Sequence, residues 1–136
     1  MTVNSQRRRA IVPVLLWSAL VGYCALIFFA SSRPVPEELH LDIPGLDKVV
    51  HAGAYGVWAA IFLGALAATG RSWSYGRLAW LTLLATALYG VSDEVHQSFV
   101  PGRTADILDW FADVGGAVLL VLAVAWWRRK LRQCGE

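Results

Sequence analysis

Asp106, Asp109 and Asp113 recur at i, i+3 and i+7 inside a stretch that otherwise reads as a membrane-spanning helix. At ~100° per residue they fall within an arc of roughly 60° on one helix face. A charged side chain at a bilayer centre costs ~2.5–3.5 kcal/mol on insertion scales, and less toward the ends. The stripe is therefore expected to face protein or a water-filled cavity, and to need partners there. Carboxylates so placed can orient a base, hold a cation or lock helices together.

Candidate partners open a second apolar stretch: Asp47, Lys48, His51 and Tyr55. Asp47, His51 and Tyr55 are four apart and climb one face. At ~1.5 Å per residue, His51 lies ~6 Å and Tyr55 ~12 Å below Asp47. A helix beginning near Ala105 would put Asp109 and Asp113 at the same two depths. The reading is His51 opposite Asp109 and Tyr55 opposite Asp113. The Tyr55 pair reads first as an interhelical hydrogen bond. His51 also suits proton transfer, because its unperturbed pKa is ~6.5.

A third apolar stretch ends in Asp93, Glu94 and Gln97, and Pro101-Gly102 then reads as a turn. The turn would return Arg103 over the cluster. There Arg103 could clamp Asp106 or Asp109, or hold a phosphate bidentately. The candidate acid–base set is His51, Asp109 and Glu94. The candidate anion-binding set is Arg103, Lys48, Gln97 and Tyr55. Asp47, Asp93, Asp106 and Asp113 are read as structural polar residues, Asp106 as a helix cap. Whether the site is catalytic is left open. Oxygen donors with His51 and His96 could suit Mg²⁺, Mn²⁺, Ca²⁺ or zinc. Asp93-Glu94-Val95-His96 is not the two-histidine helix motif of zinc proteases, however. No metal ligand set and no cofactor are expected from spacing. Ser92 and Ser98 lack a nucleophile elbow.

The elements that must position these residues are membrane spans. Hydrophobic residues make up 57% of the 136, and the mean hydropathy is +0.49. Four blocks of about 20 residues, each long enough for the ~30 Å hydrocarbon, cover roughly 11–30, 49–68, 78–98 and 106–127. The third is the weakest, since it carries Asp93, Glu94 and Gln97. The expected fold is an all-α integral membrane four-helix bundle forming one domain over 1–136. With the N-terminus in the cytoplasm, Arg7, Arg8, Arg9, Arg71, Arg77, Arg128, Arg129, Lys130 and Arg132 are all inside. Only Arg33, Lys48 and Arg103 are outside, which is a positive-inside pattern. Both termini are thus expected in the cytoplasm. Nine of the ten acids, all but Glu136, and His40, His51 and His96 gather toward the other side.

Basic clusters that flank spans read as anchors rather than as a nucleic-acid surface. The first span exceeds the 7–15 apolar residues of a signal core, so it reads as a retained anchor. A disulfide between Cys24 and Cys134 is excluded by that topology. Pro34, Pro36 and Pro44 suggest an extended first loop. Ala52, Gly56, Ala60, Gly64 and Ala68 read as a packing seam, and Gly115-Gly116 as a further close contact. Trp17, Trp73, Trp80, Trp126 and Trp127 suit an interface belt. Trp58 and Trp110 either pack or line a site.

Two blocks carry a family resemblance: Asp47-Lys48-x-x-His51-x-x-x-Tyr55, and Asp93-Glu94-x-x-Gln97-x-Phe99-Val100-Pro101-Gly102-Arg103-x-x-Asp106-x-x-Asp109-x-x-x-Asp113 with Gly116. Together with Ser31-Ser32, they resemble the VanZ-like family of small bacterial membrane proteins, over about 31–120. That family often carries Asn where this chain has Asp113. The resemblance implies four spans, the bacterial cytoplasmic membrane, and a role in the envelope or in tolerance of glycopeptide antibiotics such as teicoplanin. Expected partners are membrane lipids and an envelope or cell-wall precursor ligand. A homo-oligomer stays an open option. The alternative is a non-enzymatic accessory protein whose polar cluster is a structural or partner-docking network.

Overall fold

The computed structural model describes residues 3–34, 43–69 and 72–134, with backbone alone for 3–10. Pro36, His40, Arg71, Glu136 and the side chains of Arg7, Arg8 and Arg9 lie outside the described residues. Four helices follow one another: α1 (Val3–Ser31), α2 (Leu46–Ala68), α3 (Tyr75–Gln97) and α4 (Ile107–Gln133). Among the described residues there is no strand.

Each helix runs past the apolar block expected for it, because caps and polar turns extend the backbone beyond the hydrocarbon-like core. Ser74 caps α3 and Asp106 caps α4, each through its side-chain oxygen. Among the described residues three segments are long and apolar enough to cross a membrane: Ile11–Ser31, Leu46–Ala68 and Ile107–Gln133. Helix α3 matches α2 at 23 residues but is not among them. Its buried face carries Thr82, Thr86, Asp93, Glu94 and Gln97, so its polarity is turned into the bundle. Outward, Val14, Val21, Leu26, Phe29, Leu88, Leu119 and Leu122 are each 60% or more exposed. So much contiguous apolar surface belongs in lipid rather than water.

Helix α2 is central and packs most closely on α4. The small-residue face makes this possible, but it is shared between two neighbours. A side chain on Gly56 would abut the Gly116 carbonyl at 3.5 Å, whereas Gly64 faces Leu16 of α1. A methyl on Gly116 would overlap the Ala52 carbonyl, while Gly115 faces open space. Of the expected glycine pair, only Gly116 makes the close contact. Between lipid-exposed helices such packing, rather than burial from water, supplies cohesion.

Trp58 lies in the middle of the bundle, stacked on Tyr89 and Phe62 with centroids 5.4 and 5.0 Å apart. Its indole N–H donates to Cys24 Sγ, and Trp110 donates to the Ala87 carbonyl at 2.9 Å. Both tryptophans pack. Trp17 meets Phe62 edge-on, while Trp80, Trp126 and Trp127 remain exposed near the end where α3 begins and α4 finishes. Lys130 lies 5.2 Å above the Trp126 ring there. The opposite end, where α1 and α3 finish and α2 and α4 begin, is the polar end.

Candidate functional site at the polar end

The polar end is assembled by two turns. Val100–Arg103 forms a β-turn with an Arg103 N–H to Val100 carbonyl bond of 3.1 Å, and Gly102 sits at φ 81°. Glycine suits that left-handed position after Pro101. Gly45, at φ 79°, leads into α2. The turns bring α2, α3 and α4 together with eleven candidate residues around them.

Lys48 is the hub of one group. Its ammonium reaches Asp106 Oδ2 and Asp109 Oδ1 at 2.6 Å and Asp47 Oδ2 at 3.0 Å. An ammonium has three donors, so Lys48 has none left for a ligand anion, contrary to its expected place in the binding set. Asp106 accepts from Leu108 N–H at 2.9 Å and donates its own N–H to Glu94 Oε2 at 2.7 Å. Glu94 thereby fixes the start of α4. Lys48 beside Asp106, then the Leu108 N–H, hold the Asp106 carboxyl below the usual carboxylate range.

His51 belongs to a deeper group. Its Nδ1 lies 3.0 Å from Asp113 Oδ1, and its Nε2 lies 3.9 Å from Asp109 Oδ2. The expected pairing with Asp109 is thus displaced by one turn. Helix α4 starts at Ile107 and α2 at Leu46. From those starts His51 sits ~7.5 Å deep, Asp113 ~9 Å and Asp109 only ~3 Å. Tyr55 falls below Asp113, and its buried hydroxyl has no hydrogen-bond partner among the described residues. The Tyr55–Asp113 bond is therefore not formed.

Arg103 also departs from expectation. Among the described residues it clamps no carboxylate. Its Nε donates to the Arg33 carbonyl at 2.8 Å and Nη2 to the Ala30 carbonyl at 2.9 Å, which ties it to the backbone where α1 ends. His96, weighed as a metal ligand, stacks on Phe28 at 4.4 Å and pairs with Ser32 Oγ at 2.9 Å. Gln97 donates to Asp93 Oδ2 at 3.2 Å.

A cleft of about 620 Å³ opens beside these groups, bounded by α1, α2, the end of α3 and the turn after it. Ile27, Ile43, Leu46, Val50 and Ala54 give it aliphatic walls, while Asp47, His51, Tyr55, Asp93, Gln97 and Arg103 give it polar ones. Glu94, Asp109 and Asp113 do not line it. His51 both lines the cleft and meets Asp113. A donor atom from each of His51, Glu94 and Asp113 lies within 4.8 Å of the others. The aliphatic wall, Val50 above all, was not singled out from sequence, since an apolar residue in an apolar helix carries no distinguishing signal.

A family model described as VanZ/LLP1 matches residues 6–128. The chain belongs to the VanZ/LLP1 family. No curated protein and no solved structure matches it. In this VanZ/LLP1 chain the two sequence blocks that carry the likeness meet at one end of the bundle, through Lys48 with Asp106 and Asp109, and through His51 with Asp113.

Proposed function

We propose that the polar end faces the outside of the bacterial cytoplasmic membrane and that its cleft binds a phosphate-bearing amphiphile of the envelope, a lipid or a cell-wall precursor. The observation that carries this reading is the cleft's mixed lining. Aliphatic side chains from α1 and α2 suit an acyl or prenyl chain, and convergent polar groups suit a head group. Arg103 Nη1 makes no hydrogen bond among the described residues, and the Arg103 guanidinium is a cation on the cleft wall. Asp47 is drawn toward Lys48 and Asp93 toward Gln97, which lessens their repulsion of an anion. The basic residues Arg77, Arg128 and Lys130 at the opposite end support the orientation.

His51 then stands at the cleft wall as acid or base, with Asp113 rather than Asp109 orienting its ring. Tolerance of teicoplanin-type glycopeptides follows if the bound molecule belongs to cell-wall assembly. A second reading rests on Lys48: a cation spent on three carboxylates is what a structural network needs, and the chain would then be a non-enzymatic accessory protein. Susceptibility to teicoplanin separates the two. At matched membrane abundance, His51→Gln and Val50→Trp are expected to lose the tolerance conferred by the parent chain. Unchanged tolerance in both variants would favour the network.

A further inference from the structure

We propose that His51, Glu94 and Asp113 form a site for one divalent metal ion of the zinc or manganese type, held between α2, α3 and α4. The three residues come from three helices and place donor atoms within 4.8 Å of one another. At metal–donor distances of ~2.0–2.2 Å a tetrahedral ion sets its donors ~3.3–3.6 Å apart, so the three side chains must draw together by up to ~1.5 Å on binding.

Each carboxylate keeps one oxygen free for this. Glu94 uses Oε2 on the Asp106 N–H and Asp113 uses Oδ1 on His51. Their remaining oxygens, Glu94 Oε1 and Asp113 Oδ2, are buried with no partner. Glu94 is 9% exposed and Asp113 is 0% exposed. Buried carboxylate oxygens are normally satisfied, and a buried charge is normally paired or bound to metal. Lys48 cannot serve, because its donors go to Asp47, Asp106 and Asp109. A dication supplies both the missing partner and the missing charge. One imidazole with two carboxylates is a mixed donor set that suits Zn²⁺ or Mn²⁺ better than the all-oxygen shells of Ca²⁺. Spacing gave no hint of the site, since a motif within one helix cannot report ligands from three. The ion does not depend on the proposed amphiphile, since Glu94 and Asp113 do not line the cleft, but with the ion bound His51 is a ligand rather than an acid or base.

The test uses the full chain without an affinity tag, carrying Cys134→Ser, purified in detergent and stripped with a chelator. Equilibrium dialysis against Zn²⁺ or Mn²⁺ with elemental analysis is expected to give one ion per chain, with a raised melting temperature. Glu94→Gln and Asp113→Asn are each expected to weaken binding at least tenfold. With Co²⁺ as probe, His51→Gln is expected to change the visible absorption. Only variants with parental helical circular dichroism are compared, and the nearly isosteric Asp113→Asn carries the test if Glu94→Gln does not fold. No saturable ion, or binding unchanged in the folded carboxylate variants, overturns the site.

Discussion

Lys48 and His51 stand three positions apart on α2, yet they do different work. Lys48 is held by three carboxylates, whereas His51 lines the cleft with one face and meets Asp113 with the other. Replacing Lys48 by Met leaves Asp109 buried without its ammonium partner. A loss of ~1–3 kcal/mol is expected from the unsatisfied acceptors, read as a lower melting temperature in detergent and partly restored by adding Asp109→Asn. Asp106 gives a pH test. Its pKa is lowered in the folded chain, so its contribution is present above the unfolded value of ~3.9 and fades as pH falls through the lowered one. The melting difference between the parent and Asp106→Asn should hold constant from neutral pH down to mild acid and then shrink; a difference that grows on acidification contradicts the assigned Lys48 contact. The residue types of this network were legible because charges are rare in spans. The pairing was not, because a start shifted by one or two residues in each helix moves every partner by a turn.

At the scale of elements, the seam between α2 and α4 sets the register of everything above it. Gly116→Ala forces a methyl into the Ala52 carbonyl and is expected to cost ~1–3 kcal/mol by overpacking. Gly115→Ala meets open space and should be neutral, or stabilising by up to ~1 kcal/mol through helix propensity. Equal effects of the two substitutions in a thermal melt would contradict this packing. The every-four pattern of small residues announced a seam, but not that Gly64 serves α1 while Gly56 serves α4. Periodicity identifies a face, and which neighbour covers it depends on crossing geometry. Arg103 illustrates the same limit. A turn was readable from Pro101-Gly102, but its target, the carbonyls ending α1, is backbone and leaves no trace in the sequence.

At the scale of the whole molecule, the four helices were legible in the blocks of hydropathy. The third block lies within three residues of α3 at either end, but its character as a span was less plain, because its inward-facing polar residues lower its hydropathy. The proposed orientation is open to a direct check. In a Cys24→Ser, Cys134→Ser background, a single cysteine at exposed Ser98 should react with a membrane-impermeant maleimide in intact cells. With Cys24→Ser alone, the remaining Cys134 should react only after lysis. The central claim is that the cleft binds an amphiphile, and native mass spectrometry of the detergent-purified chain titrated with phosphatidylglycerol tests it most directly. The account predicts a one-to-one adduct, weakened by Arg103→Ala and removed by Val50→Trp, which fills the cleft without disturbing the Lys48 network. An adduct that persists unchanged in folded Val50→Trp, or no adduct with the parent chain, would contradict it.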